Sequence, residues 1–267
     1  IDVIHAREIK IMSKKPKTER RSFSQKIGAI IQARMGSERL PGKSLMKVGE
    51  KPLLKHIIEN LESSKYLDKI ILATTELEED KPLLELAESL NVSGFAGSEN
   101  DVLLRYAEAA EKYKLNIVVR VTGDNILTDV DGMDKTIDLY LQEKPDIATN
   151  GGKQGYPLGS GVEVFSNSLL QYLNEMIDSP VEREHVTLHV HKRQADYRIL
   201  YLAALYGYKD MNVRLTIDTK EDLSLIRILY EKIKESGEDF KLSSVMGYLK
   251  KHKELTNINS NIKQETF

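Results

Sequence analysis

Two sets of residues in this chain are spaced for phosphate chemistry: cations in a glycine-bearing loop, and aspartates that close apolar runs. The loop reads Ala33-Arg34-Met35-Gly36-Ser37-Glu38-Arg39-Leu40-Pro41-Gly42-Lys43-Ser44 and follows the apolar run Ile27–Gln32. Glycine-rich turns present backbone N–H groups to anions, and Arg34, Arg39 and Lys43 add three cations within ten residues. This is not a Walker A loop. That motif places four residues between its glycines, whereas five separate Gly36 from Gly42, and Pro41 lacks an N–H. A strand-following loop of this kind suits a triphosphate; composition alone also allows a solvated basic turn.

The first aspartate, Asp124, lies in Thr122-Gly123-Asp124-Asn125, just after the run Asn116–Val121. A carboxylate at a strand's carboxyl end can hold Mg²⁺ over a nucleotide, because that ion takes one or two carboxylates and completes its shell from phosphates and water. An Asx turn would use the same residues. The second, Asp218, closes Arg214-Leu215-Thr216-Ile217-Asp218, with Thr219 as helix cap and Asp222 in the capping-box position. Asp218 precedes the cap and is left for a metal.

These loops need a scaffold, and the rest of the chain supplies one. Short β-branched runs at 27–32, 69–74, 93–96, 116–121 and 147–149 alternate with helical periods at 52–65, 80–90, 101–113 and 131–143. That βαβα rhythm predicts an α/β fold, a mainly parallel twisted sheet with helices on both faces and ligands beyond the carboxyl ends of its strands. After Asn150 the rhythm loosens. A glycine-rich stretch leads to a strand at 162–165, helices over 167–178 and 181–192, a strand pair near 197–203 and 213–217, and a helix from Lys220. The reading is one domain over 26–252, in which 151–205 is an acceptor-side insertion over one end of the sheet. Residues 253–267 read as a polar, fraying tail.

Composition narrows the classes. The 267 residues include no cysteine, which excludes disulfide scaffolds, cysteine nucleophiles, thiolate zinc sites and iron–sulfur clusters. No apolar run is long enough to span a membrane, and the expected location is cytoplasmic. The net charge of −2 hides a basic leader. Residues 1–26 hold eight Lys or Arg against three acidic residues, and 1–25 read as disordered and solvated. Binding to nucleic acid would rest on that leader alone and is not expected.

The string Ile30-Ile31-Gln32-Ala33-Arg34-Met35-Gly36-Ser37-x-Arg39-Leu40-Pro41-Gly42-Lys43 resembles the signature of the cytidylyltransferase family, which contains the acylneuraminate and 3-deoxy-manno-octulosonate (Kdo) cytidylyltransferases. Within it, the spore coat polysaccharide biosynthesis protein F type is the most similar branch, and the likeness runs from about Ile27 to Ile233. The resemblance implies a Rossmann-like nucleotidyltransferase fold, CTP as donor, Mg²⁺ as cofactor and a homodimer. It places Arg34 and Lys43 on the triphosphate, with Ala33, Gly36, Ser37 and Arg39 in the same loop. It makes Gly123-Asp124 and Asp218 the metal-binding positions, so that Arg34, Lys43, Asp124 and Asp218 carry catalysis. Ser98, in Ala96-Gly97-Ser98-Glu99-Asn100-Asp101, falls near the nucleotide, although Ser98 to Asp101 also suits a helix cap.

On the acceptor side, Glu182-Arg183-Glu184-His185-Val186-Thr187 is similar to a family motif. Arg183 or His185 would contact an anionic acceptor or orient its nucleophilic oxygen; a structural ion-pair network is the other reading. His185 and His189 share a face at i, i+4, as in zinc sites, yet no third ligand is suitably spaced. Glu163 is placed with the acceptor. The stretch before it departs from the family, with Gly161 where Asp is usual, and Ile126 replaces a commoner Pro. The expected reaction is transfer of CMP from CTP to a sialic-, legionaminic-, pseudaminic- or Kdo-like sugar acid for surface polysaccharide, releasing pyrophosphate. The alternatives are a same-fold enzyme using another nucleotide or a phosphorylated acceptor, and a non-catalytic nucleotide-binding homologue.

Overall fold

A computed structural model of the chain describes residues 25–152, 154–204, 208 and 213–264. Apart from Gln25, the expected basic leader lies outside the described residues. The first strand, β1 (Ile27–Gln32), shows how the sheet is built. Ile27, Ala29 and Ile31 enter the core on one face, while Ile30 enters the core on the other. A strand buried on both faces needs an unbroken apolar run, and that is what Ile27–Ile31 provides.

Around β1 lie β2 (Lys47–Val48), β3 (Lys51–Pro52), α1 (Leu53–Leu61), β4 (Lys69–Thr75), α2 (Lys81–Ser89), β5 (Ser93–Gly97), α3 (Val102–Lys112) and β6 (Ile117–Thr122). Then come α4 (Val130–Glu143), β7 (Ile147–Thr149), β8 (Glu163–Ser166), α5 (Asn167–Met176), α6 (Pro180–Glu184), α7 (Leu188–Lys192), β9 (Ile199–Tyr201), α8 (Lys220–Glu235) and α9 (Leu242–Lys251). The main sheet has the order β5-β4-β1-β6-β8-β7-β9, and β2 and β3 form a separate two-stranded ribbon. Only β8 runs against its neighbours β6 and β7; the other pairs in the main sheet are parallel.

Helices cover both faces. α1, α2, α4, α8 and α9 pack on one side, and α3, α5 and α7 on the other. In α1, Leu53, Leu54, Ile57, Ile58 and Leu61 fall on one side at helical spacing and are fully buried, each contributing about 1.5–3 kcal/mol. Strand order turns around β1, with β4, the next strand of the main sheet in sequence, on one side and β6 on the other. The crevice for a ligand therefore opens at the carboxyl ends of β1 and β6.

Four expectations need correction. Segment 151–205 is more than a cover, since it threads β8 into the middle of the sheet and adds the edge strand β9. The expected helix over 181–192 breaks into α6 and α7 at Val186, whose φ of 53° buries its side chain in the α3-side core. The expected pairing of 197–203 with 213–217 does not form. β9 joins β7, and 213–217 makes only an isolated bridge, Arg214 with Leu158. The tail does not fray through 253–264. Leu255 and Ile258, three apart in the 3₁₀ segment Lys253–Ile258, share a side and pack on the core.

Candidate active site

The loop after β1 is held from beneath. Ala33 N–H donates to Ala73 O, and Met35 N–H donates to Asp80 Oδ1 at 2.6 Å. Asp80 is fully buried, and its other oxygen accepts from Thr75 Oγ1. The loop then closes on itself: Ser37 and Gly42 N–H both donate to Met35 O, Ser44 Oγ donates to Arg34 O, and Gly42 takes φ 72°. Arg34, Gly36 and Arg39 are exposed, Ser37 is half-buried, and Lys43 turns inward.

Lys43 points between the two aspartates. Its Nζ lies 2.7 Å from Asp218 Oδ1 and 3.3 Å from Asp124 Oδ2, and donates to Ile217 O. Backbone contacts bring these distant segments together. Gly123 N–H donates to Gln32 O, and a Cβ at Gly123 would stand 2.7 Å from that oxygen, so only glycine lets β6 approach β1 so closely. Beyond it, Ile217 N–H donates to Asp124 O, which sets Asp218 beside Asp124. Arg39 and Arg214 add cations at 3.5 and 2.7 Å from Asp218 Oδ2. Burial would raise the Asp218 carboxyl, but Lys43, Arg39 and Arg214 outweigh it and hold the pKa below its ordinary value. The helix following Asp218 carries the expected capping box of Thr219 and Asp222.

Next to Asn125 a cavity of about 490 Å³ opens at the ends of β7, β8 and β9. Pro157, Leu158, Leu188 and Tyr201 give it apolar walls, Glu163 and Lys192 bring charge, and His191 adds an imidazole. Glu163 accepts from Arg120 Nη1 at 2.8 Å and Thr187 Oγ1 at 2.7 Å, and its Oε1 lies 2.5 Å from His191 Nε2. Burial works against its charge, yet the His191 hydrogen bond and the Arg120 charge bring its pKa down to about 2. The glycine-rich wall is zipped to the Asp218 segment, because Leu158 N–H donates to Val213 O and Leu215 N–H to Leu158 O. Gly159 makes this possible: it has φ 96°, and a Cβ there would stand 2.2 Å from Thr216 N.

Arg183 does not reach this cavity. Four of its five donors are taken by Asp101 Oδ2, Asn174 O, Ile177 O and Asn174 Oδ1. These bonds form the structural network of the other reading and tie α6 to α3 and α5. His185 caps α6 and is not among the cavity's lining residues. His189 Nδ1 pairs with Glu182 Oε2 at 2.7 Å instead of sharing a helix face with His185. Ser98 Oγ accepts from Asp101 N–H, while Asp101 caps α3 through Leu104 N–H, as the capping reading has it.

Several residues of the site go beyond the sequence reading. Arg120 faces the expected Glu163 across the β6–β8 ladder, and Asp80 anchors the first loop. A charged residue inside an otherwise apolar strand was a signal for Arg120, since a buried cation demands a partner. His191, Lys192 and Tyr201 had none, because their positions depend on β9 and on the break at Val186.

A mainly parallel sheet that turns at β1, a basic loop at that turn, and two acids converging on one of its cations define a nucleotidyltransferase fold. Residues 28–257 match the family model described as "Cytidylyltransferase". The spore coat polysaccharide biosynthesis protein SpsF of Bacillus subtilis is 35% identical over 211 residues, covering 77% of this chain and 87% of that protein. The 3-deoxy-manno-octulosonate cytidylyltransferase of Thermodesulfovibrio yellowstonii is 34% identical over 130 residues, 45% of this chain and 49% of that protein. The solved structure of a cytidylyltransferase from Leptospira borgpetersenii superposes with a TM-score of 0.82 at 33% identity, covering 90% of this chain and all of that one. The chain belongs to the cytidylyltransferase family and is a nucleotidyltransferase. Among the described residues no helix is long and apolar enough to cross a membrane.

Proposed function

We propose that this enzyme transfers CMP from CTP to a sugar acid, releasing pyrophosphate, and that Mg²⁺ is its cofactor. One observation carries the reading: Asp124 and Asp218, from distant segments, both lie against the same Lys43 ammonium beside a basic loop. The acid pair fits the ion. It offers two hard oxygen donors around one cation position, and no group of three or more His, Asp or Glu among the described residues could hold a metal by itself. Asp124 and Asp218 would hold the ion, leaving the rest of its shell to phosphates and water, and it would supply positive charge against the phosphates.

The chain's own residues do the rest. Arg34, Arg39 and Lys43 offset phosphate charge, and the closed loop presents its backbone to the triphosphate. The acceptor sits in the cavity beside Asn125, and its oxygen attacks the α-phosphorus in line as the bond to the pyrophosphate oxygen breaks. Glu163 holds His191 at the cavity wall and pairs with Arg120 across the β6–β8 ladder. The acceptor class draws on the curated relatives, whose names speak of polysaccharide biosynthesis and of 3-deoxy-manno-octulosonate.

The test is thermal stabilisation by CTP, UTP, GTP and ATP, each with and without Mg²⁺, followed by pyrophosphate release with sugar acids. A ligand at a hundred times its dissociation constant adds about 2.7 kcal/mol. Stabilisation by CTP above the others, and greater with Mg²⁺, is expected. No response to CTP would overturn the reading.

A further inference from the structure

The carboxyl-terminal segment covers the Asp218 cluster, and one of its residues takes part in it. Asp218 is held by a small polar lattice. Its own N–H and that of Thr219 donate to Asp222 Oδ2 at 3.0 and 3.1 Å. Arg214 Nη2 bridges Asp218 Oδ2 and Asp222 Oδ2, and Arg214 Nε donates to Asp222 Oδ1. Asn259 closes this lattice from outside. Its Nδ2 donates to Asp222 Oδ1 at 2.8 Å and to Arg214 O at 3.0 Å. Asn259 is 3% exposed and Asp222 is fully buried. Arg214 also donates to Gln264 Oε1 from the same segment.

The geometry points to Asn259 as a positioning residue for the Asp218 carboxylate, a role that rests on the proposed metal-assisted reaction. A residue serving only to pack the segment would be apolar, as Leu255 and Ile258 are. Asn259 instead spends its amide on the two side groups that fix Asp218, one through its carboxylate and one through its main chain. Without that donor, the buried Asp222 carboxylate loses a charge-assisted bond and is freer to rotate. Its bonds to the Asp218 and Thr219 N–H groups loosen with it, and so does the aim of Asp218. Outer partners of a metal ligand act in this way, and losing one typically costs 10–100-fold in metal affinity.

The experiment compares the whole chain with Asn259→Ala and Asn259→Leu, the second close in volume but unable to donate. Thr256→Ala, which removes an exposed bond within the same segment, is the control. The readout is the Mg²⁺ concentration that gives half of the CTP-dependent rise in Tm, with the midpoint for turnover measured alongside. Both Asn259 variants are expected to raise the Mg²⁺ midpoint about tenfold or more, and Thr256→Ala to leave it unchanged. A purely structural role would lower the ligand-free Tm without moving the midpoint, and that result overturns the inference. If neither variant folds, the ¹⁵N side-chain amide signal of Asn259 in the unmodified protein decides: it shifts on adding CTP with Mg²⁺, and an unmoved signal overturns the role. Absence of any Mg²⁺-dependent CTP response in the unmodified protein would instead sink the proposed reaction, and the inference with it.

Discussion

Lys43 and Asp218 form an ion pair of 2.7 Å, and the same ammonium lies 3.3 Å from Asp124. One tethered cation thus offsets two carboxylates that would otherwise repel each other. It also stands where a divalent ion would bind them both. In the proposed reaction, Lys43 would have to leave the aspartates for a metal to bind there, and the phosphates would be the natural partner for its charge.

Lys43→Met removes that cation and keeps much of the bulk. Turnover is expected to fall at least about a hundredfold, as when one charge-stabilising donor is lost. The metal response should change in the opposite direction. With no nucleotide present, Mg²⁺ should raise the Tm of the variant more than that of the unmodified enzyme, because the acid pair is no longer neutralised. Equal responses would show that Lys43 does not compete for the cation position.

The two aspartates should be equal in catalysis and unequal in stability. Asp124→Asn and Asp218→Asn are each expected to lose at least about a hundredfold in turnover. Asp218 touches Lys43, Arg39 and Arg214, whereas the ion pair described for Asp124 is with Lys43 alone. Neutralising Asp218 strands more positive charge, so its Tm should fall further. Thermal unfolding of the two proteins side by side checks the order.

Acid should expose the Glu163 network. Its pKa is held at about 2 in the folded chain, against an ordinary 4.5. A carboxylate depressed in this way contributes stability that is fully present above pH 4.5 and is lost as pH falls toward 2. The linkage amounts to about 3 kcal/mol. Glu163→Gln lacks this dependence, so the stability gap between the two proteins should narrow steadily from pH 5 to pH 2. A constant gap would mean that the carboxylate is not charged and paired in the fold.

Legibility in the sequence followed the range of the interaction. The run Ile27–Ile31 revealed a strand buried on both faces, and strand-end acids marked Asp124 and Asp218, because those signals lie within a few residues. The Arg120–Glu163 pair spans 43 residues and exists only because β8 enters the sheet antiparallel, in a register that sets those two residues opposite each other. The break at Val186 was hidden because 181–192 has helical periodicity throughout. At the break Val186 is buried in the α3-side core, a tertiary effect, and Glu182 pairs with His189 across it. Asn259 stood in a stretch whose polar composition read as solvated, and its two acceptors lie 37 and 45 residues upstream.

Arg183 offers a test of structure against recognition. Arg183→Lys keeps one positive charge near Asp101 but cannot reproduce the forked bonds to Asn174 and Ile177. Stability is expected to fall by about 1.5–3 kcal/mol, with the KM for the acceptor unchanged. A raised acceptor KM at unchanged Tm would return Arg183 to the binding site.

Gly161 decides whether the departure from the family pattern is a loss or a redesign. A Cβ at this position would stand 2.6 Å from Gly151 Cα and 2.9 Å from Gly151 N, both backbone atoms that cannot swing aside. The two glycines therefore let the strand ends of β7 and β8 close on each other, and both line the cavity beside Asn125. Restoring a carboxylate here cannot simply restore a contact, because any side chain must first push the wall apart. Gly161→Ala is expected to cost about 1–3 kcal/mol and to raise the KM for the acceptor more than that for CTP, since the loop holding the triphosphate is built from other segments. Gly161→Asp should do the same and gain no activity. If Gly161→Asp instead raised turnover with a sugar acid, the wall would be yielding, and the glycine would be a lost ligand and not a packing requirement.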